Sequence, residues 1–322
     1  MAPVFLLTLD TEGDNLWARP RGVTTSNAEF LPRFQALAEK FGWRPTWLVN
    51  WEMTHAPRCV EFLRDALVRG TAEVGLHLHA WDTPPLTPLT EDDSLHHPFL
   101  IEYPVDIMRE KIARLAGKLE ETFQRPLHSH RAGRWAFDGR YARLLRERGV
   151  LADCSVCPGV DWSTTKGDPA GAGGSDYRQA PTTPYRLSEA DVTRAAEVSE
   201  ANTLLEVPMT TGAVQKAWWR RAAAVFSPRH YWLRPNGNNL RAMLNLVDEA
   251  VATGREHLMF MLHSSELMPG GSPTFRDADA IERLYEDLAA LFARAAHHGC
   301  PASTLGEFTR ARSAPAGAAS VN

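Results

Sequence analysis

Short apolar segments alternate with longer amphipathic segments along most of this chain. A strand that is buried on both faces reads as a continuous apolar run, whereas a helix packed on a sheet repeats its apolar residues every 3–4 positions. The pattern predicts strands over 4–10, 45–49, 72–79, 127–131, 150–153, 204–208 and 257–262. It predicts helices over 27–41, 58–69, 105–123, 138–148, 240–252 and 277–297. This alternation indicates an α/β protein with a parallel sheet wrapped by helices.

Polar motifs follow several of the predicted strands at their C-terminal ends, and this favours a barrel with its site on one face. The length of 322 residues suits one large domain better than two. We predict a single domain over 1–312 and a flexible tail over 313–322, because the tail is rich in Ala, Ser, Gly and Pro.

The charge and hydropathy of the chain exclude several classes of partner. A formal net charge of -4 gives no reason to expect binding to nucleic acid or to an anionic membrane. No segment approaches the ~18 consecutive apolar residues of a membrane-spanning helix. The N-terminal apolar run has no basic residues before it and meets Asp10 early, unlike a signal peptide. We therefore expect a cytoplasmic protein.

Two of the four cysteines, Cys154 and Cys157, have a C-x-x-C spacing. No second pair and no nearby histidine completes a zinc site of the usual kind around them. In a cytoplasmic protein reduced thiols are the default. We interpret both as structural residues.

The first predicted strand ends in two carboxylates, Asp10 and Glu12. Side chains two apart in an extended segment project to the same side. Two acids converging at the end of a buried strand are costly unless a cation or a reaction needs them. The alternative is an ordinary turn, because the Glu-Gly-Asp sequence at 12–14 has typical turn chemistry.

A pair of histidines, His77 and His79, ends the third predicted strand. Their spacing places both imidazoles on one face, and imidazoles are common ligands of zinc and other divalent metals. One such histidine could be an ordinary packing residue. Two of them together with a carboxylate would leave an open coordination position for water, as in hydrolytic metal sites.

Two further strand ends carry residues suited to catalysis, Arg131 and His263. An arginine can hold a carboxylate in a bidentate grip and keep it ionised, although a surface ion pair is the alternative reading. A histidine that ends a fully apolar strand is either a core residue or a general acid or base directed into a site.

The chain has ten tryptophans, and indole rings suit stacking on sugar rings as well as core packing. Core or loop packing remains the alternative for each of the candidates. Asn50 and Glu206, at other strand ends, are candidates for the wall of the same pocket. The candidate stacking residues are Trp17, Trp51, Trp81, Trp135 and Trp162.

Four of these stretches, in this order, resemble the motifs of the polysaccharide deacetylase family with the NodB homology domain (carbohydrate esterase family 4). They are T-L-D-T-E-G at 8–13, H-L-H-A-W at 77–81, R-A-G-R-W at 131–135 and M-L-H at 261–263. The sequence over 75–81 and 263–270 is most similar to that of a branch of the family found among bacterial surface-glycan biosynthesis proteins. The resemblance covers about 4–305. The chain departs from the family in spacing its histidines two apart rather than four, and in having Glu12 where the family has aspartate.

The resemblance implies a distorted (β/α)7-type, NodB-like barrel that is similar to a TIM barrel. It implies metal-dependent removal of the N-acetyl group from an N-acetylated sugar or glycan precursor in surface polysaccharide biosynthesis. Asp10 matches the catalytic base, Arg131 the arginine that tethers it, and His263 the general acid. Glu12 and His77 match the family's metal ligands. His79 is a third candidate ligand, because its spacing from His77 places both imidazoles on one face. The implied cofactor is a divalent metal, zinc first, with cobalt, nickel or manganese as alternatives.

Two other functions remain open from the sequence. One is a metal-independent C–N hydrolase of deformylase or amidohydrolase type that acts on a small molecule. The other is a non-catalytic glycan-binding barrel. A barrel that had lost catalysis should have lost part of its site. Here the whole set is present, which argues against the second alternative: Asp10, Glu12, His77, Arg131 and His263.

Overall fold

The structure, a computed structural model, describes residues 2–18, 22–168, 171–197, 199, 203–213 and 230–313. Ser313 ends the last helix. The remainder of the predicted tail over 313–322 lies outside the described residues.

The strands are β1 Val4–Thr11, β2 Thr46–Val49, β3 Glu73–Leu78, β4 Ser129–Ala132, β5 Ala152–Asp153, β6 Tyr185–Arg186, β7 Leu205–Glu206, β8 Thr211–Ala213, β9 His230–Trp232 and β10 His257–His263. Most of them form one sheet with the order β10-β1-β2-β3-β4-β5-β7-β6. Every neighbouring pair in it is parallel except β6 with β7. Strands β8 and β9 form a separate antiparallel pair.

Among the described residues, six α-helices lie in connections between strands and two follow the last strand. The sequence pattern predicts six of these eight helices, but not the short helix at 93–96 or the helix at 305–313. The eight helices are α1 Leu31–Lys40, α2 Pro57–Val68, α3 Asp93–His96, α4 Val105–Phe123, α5 Gly139–Glu147, α6 Leu240–Ala252, α7 Ala278–His297 and α8 Leu305–Ser313. Helix α5 is capped by Asp138, whose side chain accepts a hydrogen bond from the Tyr141 N–H at 2.9 Å. In the part of the chain that the structure describes, no helix is both long and apolar enough to cross a lipid bilayer.

The parallel strands form an incomplete barrel, which agrees with the predicted distorted (β/α) architecture. No strand pairing between β7 and β10 is present among the described residues. Side-chain and main-chain bonds cross this gap instead: Thr210 Oγ1 accepts from the Met259 N–H at 2.8 Å, and His257 Nε2 bonds the Pro208 carbonyl at 2.8 Å. The chain after β7 therefore takes the place of a closing strand.

The core lies between the sheet and the surrounding helices and is rich in aromatic rings. Phe34 of α1 packs edge-on against Trp47 of β2, with ring centroids 5.9 Å apart. Phe292 of α7 contacts Phe34 and Phe260 at 6.1 and 6.0 Å. Such offset and edge-to-face contacts add about 0.5–1.5 kcal/mol each beyond burial. Strand β1 is buried from Phe5 onward, as its unbroken apolar run predicts.

Candidate metal centre and catalytic site

The parallel sheet brings the polar residues of separate strand ends to one edge. In the sheet register, Asp10 of β1 pairs with His263 of β10, and His77 of β3 pairs with Arg131 of β4. Adjacent parallel strands end on the same side, so distant segments of the sequence meet there. A cavity of about 300 Å³ opens at this edge. It is lined by Asp10, Glu12, Leu16, Trp17, His77, His79, Trp81, Phe99, Arg134, Trp135, Trp162, Thr165, Arg234 and His263.

Glu12, His77 and His79 form a buried cluster whose ligand atoms all lie within 4.8 Å of one another. Glu12 Oε2 is 2.9 Å from His79 Nε2 and 3.3 Å from His77 Nε2. His77 belongs to β3, and His79 follows the last residue of that strand. The two rings are nearly perpendicular, with centroids 4.8 Å apart, so both can face one carboxylate oxygen. The two-residue spacing of the histidines is therefore compatible with a shared metal.

The hydrogen bond of His77 provides a test of whether a cation fits this cluster. Its Nδ1 lies 3.0 Å from the Arg131 carbonyl oxygen, which can only accept, so Nδ1 carries a hydrogen. The lone pair of a neutral ring would then point from Nε2 at the Glu12 carboxylate. A proton or a cation must lie between them. Two imidazoles and a carboxylate are the ligands of many catalytic zinc sites, so the residues present fit a divalent metal.

Without a metal, the protons in this cluster are distributed by burial and charge. Burial acts to raise the pKa of Glu12, but His263, His77 and His79 outweigh it and hold that pKa well below its usual range. Burial acts to lower the pKa of His77, yet the Asp10 and Glu12 carboxylates leave it raised. Burial lowers the pKa of His79 to about 4. Without a metal, these shifts favour the protonated form of His77, the neutral form of His79 and the ionised form of Glu12.

Asp10 is held by Arg131 rather than by the metal cluster. Arg131 Nη1 donates to Asp10 Oδ1 at 2.6 Å, and Asp10 Oδ2 lies 4.0 Å from His77 Nε2. Burial acts to raise the pKa of Asp10, but the Arg131 guanidinium, assisted by His77 and His263, leaves it lowered. Asp10 is therefore an ionised carboxylate with one oxygen directed into the cavity, as a general base requires.

His263 faces both carboxylates from the opposite side of β1. Its Nε2 is 3.8 Å from Asp10 Oδ2 and 3.9 Å from Glu12 Oε1. The Trp17 ring packs edge-on against the imidazole, with centroids 4.8 Å apart. This position suits transfer of a proton to a group bound beside Asp10.

Two residues that the sequence interpretation missed hold the other side of His263. Glu266 Oε2 lies 2.9 Å from His263 Nδ1 and accepts the His263 N–H at 3.0 Å. Arg234 Nη2 donates to Glu266 Oε1 at 3.1 Å. Burial acts to raise the pKa of Glu266, but Arg234 and His263 lower it to about 2. A glutamate three residues after a strand-end histidine was the available signal for Glu266, whereas nothing in the sequence around Arg234 marks it.

Aromatic rings form much of the cavity wall. Four of the predicted stacking residues, Trp17, Trp81, Trp135 and Trp162, line it. Trp17 has 40% of its surface exposed, so it lies at the mouth. Trp81 lies over the His79 ring with centroids 4.2 Å apart. The wall thus offers flat apolar faces beside the polar groups, a combination that suits a sugar.

Three predicted pocket residues, Asn50, Trp51 and Glu206, are not at the cavity wall. Asn50 is fully buried, and its Oδ1 accepts the His79 N–H at 3.4 Å. Trp51 turns away and packs on His55, with ring centroids 5.0 Å apart. Glu206 is buried at the end of β7, where its Oε1 accepts the Val156 N–H at 3.1 Å. Strand ends differ in which side faces the cavity, and the sequence alone did not distinguish them.

Cys154 and Cys157 are buried free thiols, in agreement with the structural interpretation. Burial raises the pKa of both well above the usual value. The Cys154 thiol donates to the His130 carbonyl oxygen at 3.2 Å. Thiols with raised pKa values are poor nucleophiles, so these residues pack rather than react.

No family model matches the sequence, and no curated protein sequence matches it. Solved structures do match it in three dimensions. A protein described as a polysaccharide deacetylase from Mycobacterium smegmatis is 19% identical with a TM-score of 0.53, over 97% of this chain and 95% of that chain. A protein described as a glycoside hydrolase/deacetylase from Parabacteroides distasonis is 11% identical with a TM-score of 0.60, over 96% of this chain and 70% of that chain.

A third similar structure is the 4-alpha-glucanotransferase from Thermococcus litoralis, which is 13% identical with a TM-score of 0.53, over 96% of this chain and 40% of that chain. All three matches extend over nearly the whole chain at low identity, and they therefore define its fold. The incomplete barrel of this chain therefore has the fold of these three proteins, two of which are described as deacetylases.

Proposed function

We propose that this chain is a metal-dependent hydrolase that removes the N-acetyl group from an N-acetylated sugar or glycan precursor in surface polysaccharide biosynthesis. The observation that carries the proposal is the position of His263 Nε2, 3.8 Å from Asp10 and 3.9 Å from Glu12. A general acid, a general base and a candidate metal ligand thus surround one small space. The aromatic wall and the deacetylase fold support a sugar substrate.

Amide hydrolysis needs two proton transfers, and the site has one residue for each. Asp10, kept ionised by Arg131, takes a proton from the water that attacks the amide carbonyl. His263 then gives its Nε2 proton to the nitrogen as the C–N bond breaks, because an amine anion is a very poor leaving group. The products are acetate and the free amino sugar.

The remaining residues prepare these two groups. Glu266 accepts hydrogen bonds from Nδ1 and from the backbone N–H of His263, which orients the ring with Nε2 toward the cavity. A divalent ion held by Glu12, His77 and His79 would act as a Lewis acid that polarises the amide carbonyl and makes water more acidic. Zinc is the ion we propose, since two imidazoles and one carboxylate are typical of it.

We also propose that the protein works in the cytoplasm. All four cysteines are buried thiols, which supports a reducing compartment. A cytoplasmic enzyme would act on a precursor of the glycan rather than on the finished polymer.

The test is release of acetate from N-acetylglucosamine oligosaccharides by the full chain, purified without a His tag. We expect release that a chelator abolishes and that zinc, cobalt, nickel or manganese restores. Asp10→Asn should lower the rate at least ~100-fold, because general-base catalysis contributes about 10²–10⁴-fold. The matched control is Asp65→Asn, which removes a surface acid paired with Arg69 and should leave the rate unchanged.

Three results would contradict the proposal in different ways. Release of acetate that is insensitive to chelator would favour the metal-independent C–N hydrolase. Release of formate from an N-formyl sugar, with no acetate from any N-acetyl sugar, would favour a deformylase. If neither product is released with any of the metals, the result would favour non-catalytic glycan binding.

A further inference from the structure

Two carboxyl groups outside the catalytic cavity lie in hydrogen-bond contact with each other beside the metal cluster. Glu52 comes shortly after β2, and Asp82 comes three residues after His79. Glu52 Oε2 is shielded from solvent and accepts from no N–H or O–H group among the described residues. Two carboxylates in contact repel each other unless one of them carries a proton. Glu52 and Asp82 therefore share one.

Glu52 connects this pair to the loop that carries one metal ligand. Its Oε1 accepts the Gly13 N–H at 2.5 Å, and Gly13 directly follows Glu12. The backbone of Glu12 itself is held from the other side by Ser264, whose Oγ accepts the Glu12 N–H and donates to the Glu12 carbonyl, both at 3.0 Å. Glu12 thus stands between its bonds to Ser264, which directly follows β10, and the bond from Gly13 to Glu52.

Asp82 connects the pair to the loop that carries the second ligand. Asp82 Oδ2 accepts from Asn50 Nδ2 at 3.2 Å. Asn50 Oδ1 in turn accepts the His79 N–H at 3.4 Å, and the Asn50 N–H donates to the Thr11 carbonyl at 2.9 Å. A continuous series of hydrogen bonds therefore runs from the residue after Glu12 to the backbone of His79.

The position of strand β2 explains why the pair can join these two loops. Glu12 follows β1 and His79 follows β3, and β2 lies between them in the sheet. Asn50 and Glu52 come from the end of β2, so they reach to both sides. No sheet hydrogen bond joins β1 directly to β3.

We propose that Glu52 and Asp82, sharing one proton, are positioning residues that hold Glu12 and His79 at the separation needed to bind a divalent metal. The separation concerned is the 2.9 Å between Glu12 Oε2 and His79 Nε2. This inference rests on the metal-dependent function proposed above. Residues that orient metal ligands typically contribute about 10–100-fold to metal affinity.

The experiment is a measurement of Zn²⁺ affinity for the full-length protein, by competition with a chromophoric chelator. Glu52→Ala and Asp82→Ala each break the series, and we expect each to weaken Zn²⁺ binding by about 10–100-fold. Glu52→Gln and Asp82→Asn replace the shared proton by an amide N–H and keep the contact. We expect these two variants to bind Zn²⁺ within about threefold of wild type, a rescue that requires the contact itself.

Glu206→Ala is the matched control. Glu206 also pairs with a second carboxyl group, that of Asp153, but it accepts its other hydrogen bond from the Val156 N–H, which does not belong to a loop that carries a metal ligand. We expect its loss to lower the melting temperature and to leave Zn²⁺ affinity unchanged. The comparison separates positioning of the ligands from general stability.

The possible outcomes distinguish this inference from the proposed function. If wild type binds Zn²⁺ and both alanine variants bind it within about twofold, the positioning role is overturned while metal dependence stands. If wild type binds no divalent metal, both fail. If the alanine variants do not fold, the Glu52→Asp variant tests the inference instead. It keeps a carboxyl group but shortens the side chain by one methylene, which moves that group away from Gly13 and Asp82. Wild-type affinity in that variant would overturn the inference, and a several-fold loss would support it.

Discussion

Arg131 Nη1 lies 2.6 Å from Asp10 Oδ1, and this ion pair joins strand β4 to strand β1 across two intervening strands. Both side chains are buried, and Arg131 Nη2 also donates to Thr8 Oγ1 at 2.6 Å. A buried charge that loses its partner costs several kcal/mol, so each member of this pair depends on the other. The same contact that keeps Asp10 ionised therefore contributes to the stability of the barrel.

Removal of one partner should show this dependence. We expect Arg131→Gln to destabilise the fold by about 3–5 kcal/mol, because it leaves the Asp10 carboxylate buried and unpaired. The double variant with Asp10→Asn should be less destabilised than the sum of the single variants by at least ~1 kcal/mol. Urea unfolding at pH 7 measures all four proteins. Additive losses would show that the two side chains do not depend on each other.

The stability contribution of Glu266 should depend on pH. Its folded pKa of about 2 lies below the ordinary glutamate value of about 4.3. The charged form therefore stabilises the fold above about pH 4.3, and that contribution is lost as pH falls toward 2. Glu266→Gln should cost about 1–3 kcal/mol at pH 7, and its difference from wild type should shrink on acidification.

Urea unfolding between pH 7 and pH 3 checks this expectation. Glu61→Gln, at a side chain that is 70% exposed on α2, is the control and should differ little from wild type at any pH. A Glu266→Gln deficit that stays constant over the whole range would contradict the role assigned to the Glu266 charge.

The close approach of Gly133 to His79 gives a third prediction. A Cβ at this position would lie 2.4 Å from the Leu78 carbonyl oxygen and 2.5 Å from His79 Nδ1. Gly133→Ala should therefore displace His79 and weaken Zn²⁺ binding by at least ~10-fold, with a stability loss of about 1–3 kcal/mol. Chelator competition and urea unfolding measure the two effects.

Gly117 provides the matched control for this substitution. It lies inside α4, and a Cβ there meets no atom within 4 Å. Gly117→Ala should stabilise the protein by about 0.5–1 kcal/mol and leave Zn²⁺ affinity unchanged. Equal Zn²⁺ affinity in the Gly133→Ala and Gly117→Ala variants would contradict the prediction, because it would show that a methyl group at 133 does not impair metal binding.

Metal removal should destabilise the folded protein. A ligand present at 100 times its dissociation constant adds about 2.7 kcal/mol to the free energy of unfolding. We expect this increase with Zn²⁺ for wild type and its loss in Glu12→Gln, since Glu12 Oε2 faces both imidazoles. His55→Gln, outside the cluster, should keep the increase. A Glu12→Gln protein that retains the full increase would place the metal elsewhere.

Trp17 should contribute to substrate binding. It lines the cavity at its mouth, and stacking on a ring contributes about 0.5–1.5 kcal/mol. Trp17→Ala should therefore lower kcat/KM for acetate release by about 2–10-fold. Trp51→Ala, which removes a ring that packs on His55 outside the cavity, should leave kcat/KM unchanged. Equal effects of the two substitutions would argue against stacking at the mouth.

The helices were the most predictable part of the fold. Helices α4 and α6 occupy the predicted residues 105–123 and 240–252. Apolar residues that repeat with helical spacing over more than ten positions form an apolar face only in a helix, so the pattern identifies the structure. Strands β6, β8 and β9 were not predicted. Each has two or three residues, too few for a period to be read, and their pairing depends on the neighbouring chain.

The candidate site was predictable where a functional residue ends a long buried strand. Asp10, His77 and His263 do so, or nearly so, and their polarity stands out against an apolar run. Asn50 and Glu206 gave the same signal, yet they lie behind the site and in the core. Which side of a strand end faces the cavity depends on how the sheet curves, which is not a local property.

The sequence by itself determined the alternation of strands and helices and the chemical groups at the strand ends, because apolar periodicity and charge are properties of short segments. Only the tertiary structure decided which of these groups touch. Asp10 meets Arg131 across 121 residues of sequence, and Glu12 meets His79 across 67. Those distances depend on the register of parallel strands and on the order of strands in the sheet. The two carboxylates of the first strand end thus have different partners in the structure: Asp10 pairs with Arg131, and Glu12 faces two imidazoles.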